Sequence, residues 1–224
     1  MDWITESAQR AKKLRNHYKL HDIDIFIKDQ LPEDIDVDFV LKYVSRRIPQ
    51  HLLRNVDIIY IGQFKDLVDR QLNAMYENGA IFVTNHQIDD GAFIDDLVHE
   101  IAHSNESSFK DIIYGDNMLN REFKGKRSSL YRILKDQMNI VPPKSLLHDV
   151  TFNQEIDDFL YKQVGYTNLN SYAVGLFTSP YAATSLREYF ARGFEQYYLG
   201  ERRILKDLCP VLYSKIYTID TLEG

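Results

Sequence analysis

From residue 22 the chain alternates: Ile23, Ile25 and Ile27 are set against Asp24 and Lys28, the two-residue period of a half-buried strand. "DFVLKYVSRRI" (38–48) changes period. Phe39, Val40, Tyr43, Val44 and Ile48 recur at helical spacing, and Pro49 sets the stop. "VDIIYIGQF" (56–64) is apolar and β-branched, the make-up of a central strand. "AMYENGAIFVTN" (74–85) holds Asn78-Gly79 between two apolar runs, a strong hairpin signal. A helix from about 91 to 104 is predicted next, with Asp89, Asp90 and Gly91 as capping residues and Asp95 and Asp96 near its positive end. Ile94, Val98, Ile101 and Ala102 form its apolar stripe.

Beyond residue 90 the strand signals nearly vanish. The clearest later element lies in "SPYAATSLREYFARGFEQYYLG" (179–200), where Leu186, Tyr189, Phe190, Phe194 and Tyr197 share helical spacing and Gly200 ends the run. Residues 5–18, with few breakers and mixed charge, read as a helix. Strands first and helices later predict an α+β fold, with a small mixed N-terminal sheet and a mostly helical C-terminal half. No repeat, linker or low-complexity block interrupts it, so residues 1–224 read as one domain with a helical lead-in over 1–20.

Composition narrows the function classes. The 224 residues are 44% hydrophobic, enough for a conventional core, and the net charge of −6 with scattered Lys and Arg offers no basic stripe for nucleic acid. No apolar run approaches a membrane span, and the polar N-terminus does not read as a signal peptide. These features predict a cytoplasmic protein, a virion-associated or host-cytoplasmic phage protein included, with neither nucleic acid nor membrane as partner. Cys209 is the single cysteine, so no internal disulfide forms, and beside Pro210 it reads as a small buried apolar residue.

The chemistry is concentrated in "IDDLVHEIAHSNE" (94–106). His99, Glu100 and His103 form H-E-x-x-H, for which composition alone predicts roughly 0.01 chance occurrences. On a helix, residues four apart stand on one face a turn from each other, the spacing at which two imidazoles grip one ion. Zn²⁺ suits such a pair because imidazole nitrogen is a good ligand and the ion takes tetrahedral geometry without preference. Glu100 points off the His99 direction. It can serve as general base for an attacking water that zinc has acidified. The plain alternative makes both histidines core-edge residues and Glu100 a solvated charge.

Catalytic zinc needs a third protein ligand. The close-by pattern H-E-x-x-H-x-x-G-x-x-H is excluded, since Glu106 stands at the glycine and Phe109 at the last histidine. Asp111, in the D-x-x-Y-G run with Tyr114 and Gly115, lies only eight residues past His103. His148 and Glu155 lack context. Glu188, on the second helix, completes a His-His-Glu set. It also fits the Ser185-x-x-Glu188 capping box, where the carboxylate bonds the start of the helix. Spacing leaves both open.

"HEIAH" followed by "SPYAATSLREYFARGFEQYY" resembles the catalytic domain of the anthrax lethal factor family, a group of gluzincin metallopeptidases. There H-E-x-x-H is followed by a tyrosine, a glutamate seven residues later, and an aromatic-aromatic-Ala-x-x-Phe helix. Tyr181 and Glu188 reproduce the offset, and Tyr189, Phe190, Ala191 and Phe194 the helix. The resemblance implies a zincin-like fold and a zinc-dependent endopeptidase acting on a peptide or protein. It implies His99, His103 and Glu188 as zinc ligands, Glu100 as general base and Tyr181 as the phenol that steadies the oxyanion. It also implies that the long stretch at roughly 105–175 is a helical insertion bordering the cleft, and that the strand "AIFVTN" lies at the cleft edge and pairs with extended substrate. Where the family often carries an acid one turn after the glutamate, this chain has Arg192, so a carboxylate orienting a histidine must come from elsewhere; Glu195 is a candidate. The rival readings are a structural or interaction protein that keeps the zinc site for folding, and a hydrolase of a non-peptide amide.

Overall fold

The computed structural model describes residues 18–172 and 175–222. The expected helix at 5–18 lies outside them apart from Tyr18, which opens a strand. The fold is mixed α+β with a small five-stranded sheet. By its internal contacts the chain divides into two compact units, residues 1–104 and 105–224.

The first unit carries the sheet. Its strands are β1 (Tyr18–Leu20), β2 (Ile23–Ile27), β3 (Ile58–Ile61), β4 (Ala74–Glu77) and β5 (Ala80–Val83), in the order β1-β2-β3-β5-β4. β2, β3 and β5 run parallel in the middle, and β1 and β4 pair antiparallel at the two edges. Alternation explains the faces: Ile23, Ile25, Ile59, Ile61, Ile81 and Val83 are buried, while Asp24 and Phe26 are exposed. Each aliphatic side chain buried in this way contributes about 1.5–3 kcal/mol of hydrophobic stabilisation. The other face carries a rung of rings. Phe26 aligns with Tyr60 and Tyr60 with Phe82, with ring centroids 6.1 and 5.3 Å apart.

Helix α1 (Val37–Arg47) starts at Asp36, whose carboxylate accepts from Phe39 N, and ends before Pro49. A short helix α2 (Lys65–Arg70) separates β3 from β4. Asn78 and Gly79 both take positive φ, 48° and 85°, as a type I′ hairpin requires. That turn fixes the β4–β5 register, Ala74 opposite Val83 through Glu77 opposite Ala80.

The sequence expectation for "AIFVTN" needs correction here. β5 lies between β3 and β4 and has no open side; the edge strand is β4. The hairpin folds its first arm outward, so the strand nearest in sequence to the following helix is not the outermost one.

That helix, α3, spans Asp90–Ser108, longer than its predicted 91–104, and its last residues open the second unit. Asp89 accepts from Ala92 N at 2.7 Å and starts it. Phe93, Ile94, Leu97, Val98, Ile101 and Ala102 are all buried.

The second unit is helical: α4 (Lys110–Tyr114), α5 (Met118–Asp136), α6 (Ser145–His148), α7 (Gln154–Asp158), a π-helical turn (Phe159–Val164), α8 (Tyr166–Tyr172), a 3₁₀ turn (Tyr181–Ala183), α9 (Leu186–Leu199), α10 (Arg202–Leu208) and α11 (Pro210–Asp220). Its core is the stripe Leu119, Phe123, Leu130 and Leu134 of α5, the rings Tyr189, Phe190, Phe194 and Tyr197 of α9, and Leu212, Ile216 and Ile219 of α11. Glu122 starts α11 by accepting from Val211 N at 2.8 Å and Leu212 N at 3.1 Å, and the Tyr189 hydroxyl donates to it at 2.9 Å. α9 and α11 approach closely at Gly193, where an added Cβ would stand 2.7 Å from Leu212 Cγ. Gly193→Ala should therefore destabilise the fold by about 1–3 kcal/mol in urea unfolding, despite the better helix propensity of alanine. No helix among the described residues is long and apolar enough to cross a membrane.

Candidate metal centre

α3 presents His99 and His103 on one face, as their four-residue spacing requires. Their rings meet edge to face with centroids 4.7 Å apart, and the two Nε2 atoms are 3.1 Å from each other. Two nitrogens bound tetrahedrally to one Zn²⁺ at its usual bond length stand about 3.3 Å apart, so the observed separation is one that two ligands of a single ion could take. His103 is 7% exposed, shielded from competing water on most sides.

Glu100 is equally buried at 7%, and its Oε2 accepts from the backbone N–H of Tyr76 at 2.6 Å. The register explains why that amide is available. Thr84 N donates to Asn73 O, and hydrogen-bonded residues alternate along an antiparallel pair, so Met75 and Glu77 also turn toward β5 while Ala74 and Tyr76 turn to the open side. Glu100 thus lies against the open edge of the sheet. The Tyr76 hydroxyl, donating to Asn55 O at 3.0 Å, helps hold that strand.

In the second unit Ser185 caps α9, its Oγ accepting from Glu188 N at 3.1 Å. This places Glu188 in the first turn, as the capping pattern predicts. The 3₁₀ turn just before the cap carries Tyr181, closed by Thr184, whose N–H and Oγ1 both donate to Tyr181 O. Burial pushes the Tyr181 phenol well above its ordinary range, and the charges of Glu188 and Asp157 and the Tyr166 ring push the same way; Arg192 opposes them. The Arg192 guanidinium lies 5.3 Å over the Tyr181 ring and donates to Glu195 at 2.8 Å. Glu195, the candidate for orienting a histidine, is therefore engaged by Arg192.

Among the described residues, His99, His103 and Glu188 form a group that can hold a metal ion: one ligand atom from each lies within 4.8 Å of the others. The donor set, two imidazoles and one carboxylate, fits a zinc site with an open position. The other candidates stand elsewhere. Asp111 lines a groove with Asp116, Met118 and Lys215, Glu155 accepts from Ser145 Oγ at 2.8 Å, and His148 ends α6.

Two partners were not foreseen. Glu106, in the last turn of α3, accepts from Arg187 Nε at 2.9 Å and from the Tyr114 hydroxyl at 3.0 Å, joining that turn to the residue beside Glu188. The Tyr76 amide beside Glu100 could not be foreseen, because no side chain encodes it. Compared with family models, with curated proteins and with solved structures, the chain has no significant match.

Proposed function

We propose that the chain is a zinc-dependent endopeptidase of gluzincin type, with the zincin-like arrangement of an active-site helix behind a small sheet. The observation that carries the reading is the convergence of donors: two Nε2 atoms 3.1 Å apart and a Glu188 carboxylate within 4.8 Å of both histidines. When bound, zinc supplies Lewis-acid polarisation of a carbonyl and acidifies a water.

The chain's own groups would do the rest. Glu100, held by Tyr76 N–H, takes a proton from the attacking water and passes it to the leaving amine. Tyr181, kept protonated by burial, donates to the oxyanion as the carbonyl becomes tetrahedral. The open edge of β4, beside Glu100, is the place where an extended peptide would pair, giving main-chain affinity with little sequence preference.

The test is incubation of zinc-loaded protein with a broad peptide library, read by mass spectrometry. Cleavage that a chelator stops and added zinc restores is expected. Zinc held without any cut peptide would leave the ion a structural clip, and cleavage confined to non-peptide amides would redirect the substrate class. Tyr181→Phe should lower kcat by about 10²–10³-fold with zinc content unchanged, since it removes one oxyanion donor and no ligand. Steady-state kinetics beside metal analysis separates those two effects.

A further inference from the structure

We propose that Arg127 is a positioning residue for this centre, fixing the backbone that presents Tyr181 and Glu188; the inference rests on the metal reading above. Arg127 sits mid-way along α5 and is fully buried. Its guanidinium donates to main-chain carbonyls: Nε to Ala183 O at 2.9 Å, Nη2 to Thr184 O at 2.5 Å, and Nη1 to Leu146 O at 3.5 Å and to Asp149 O. Phe123, one turn earlier, lies under it with 4.5 Å from ring centroid to Cζ.

The position of these acceptors matters. Ala183 and Thr184 end the turn that begins at Tyr181, and the next residue is Ser185, the cap on which Glu188 N is fixed. Leu146 and Asp149 belong to the segment whose neighbour Val150 accepts from Leu186 N, the first residue of α9, at 2.8 Å. One planar fork therefore holds both stretches of chain that define where the tyrosine turn meets the glutamate helix. A lysine, with a single point of charge, cannot reach carbonyls on two segments in that geometry. Burying a cation here is unfavourable, and burial pushes the guanidinium down to about 10. Leu119, Phe123, Leu130 and Leu134 continue the stripe apolar on either side. An apolar residue would complete the core more simply but could hold none of these carbonyls.

The experiment compares wild type, Arg127→Met, Arg127→Lys and the core variant Leu134→Ala on the same helix, as full-length chains. Zinc affinity is read by competition with a chromogenic chelator, coordination by the visible spectrum of the Co²⁺-loaded protein, and stability by thermal midpoint. Both Arg127 variants are expected to weaken zinc binding about 10–100-fold and to alter the Co²⁺ spectrum. Leu134→Ala, though destabilised, should stay within about twofold of wild-type affinity. If Arg127→Met does not fold, Arg127→Lys carries the comparison under the same criteria. Arg127 variants with wild-type affinity and spectrum overturn the proposal, as does Leu134→Ala weakening zinc as much as they do. Wild-type protein that takes up neither ion overturns the metal reading, and this inference with it.

Discussion

Glu100→Gln should leave zinc bound and lower the rate of peptide cleavage by about 10²–10⁴-fold, the range of a positioned general base. Glutamine keeps the shape of the side chain and an acceptor oxygen for the Tyr76 amide, so the strand contact at 2.6 Å survives. What it lacks is the basicity to take a proton from water. The proposed ligands on either side, His99 and His103, keep their Nε2 atoms 3.1 Å apart. Metal analysis and melting temperature should therefore match wild type while hydrolysis per bound zinc collapses. Cleavage at the wild-type rate would remove Glu100 from the role of base.

Glu188→Ala should act in the opposite order, on the metal first. Loss of one of three donors costs more than the about 10–100-fold typical of groups that only orient ligands, so zinc affinity should fall beyond that range. Ser185 still caps α9 through a backbone amide, which alanine retains, so the helix itself should persist. Circular dichroism close to wild type, together with zinc lost on dilution into chelator, is the expected pair of readings. Full occupancy under those conditions would return Glu188 to the role of a capping acid.

The elements most legible in the sequence are those whose signal is local. Pro49 ends α1, Asn78-Gly79 forces its hairpin, and the alternation at Ile23 and Ile25 reappears as burial. The order of strands is not local. The resemblance implies that β5 lies at the cleft edge, yet the long-range parallel pairing with β3 places it inside and turns β4 outward.

The site divides in the same way. Side chains at fixed spacing on one helix, His99 and His103, can be placed from sequence because helical geometry leaves little freedom. Glu188, far along the chain, could be placed on a second helix but not told from a capping acid, and Tyr181 needed a resemblance to single it out. Arg127, in "KGKRSS", is one of the scattered cations to which the sequence alone attaches no role. A signal was present nonetheless: Leu119, Phe123, Arg127, Leu130 and Leu134 fall on one helical stripe, and a lone cation inside such a stripe is a candidate buried clamp.

The Tyr76 amide has a consequence for solubility. A sheet with an open edge offers donors and acceptors on which a second, unfolded chain can template, and the usual protections are brevity and charge placed against the edge. β4 is four residues long, and of its two outward N–H groups, those of Ala74 and Tyr76, the second is already held by a carboxylate. An aggregating strand would have to bring its carbonyl oxygen to a donor held by an anion. Glu100, proposed as the general base, thus also limits how far any second strand, substrate included, can pair along β4.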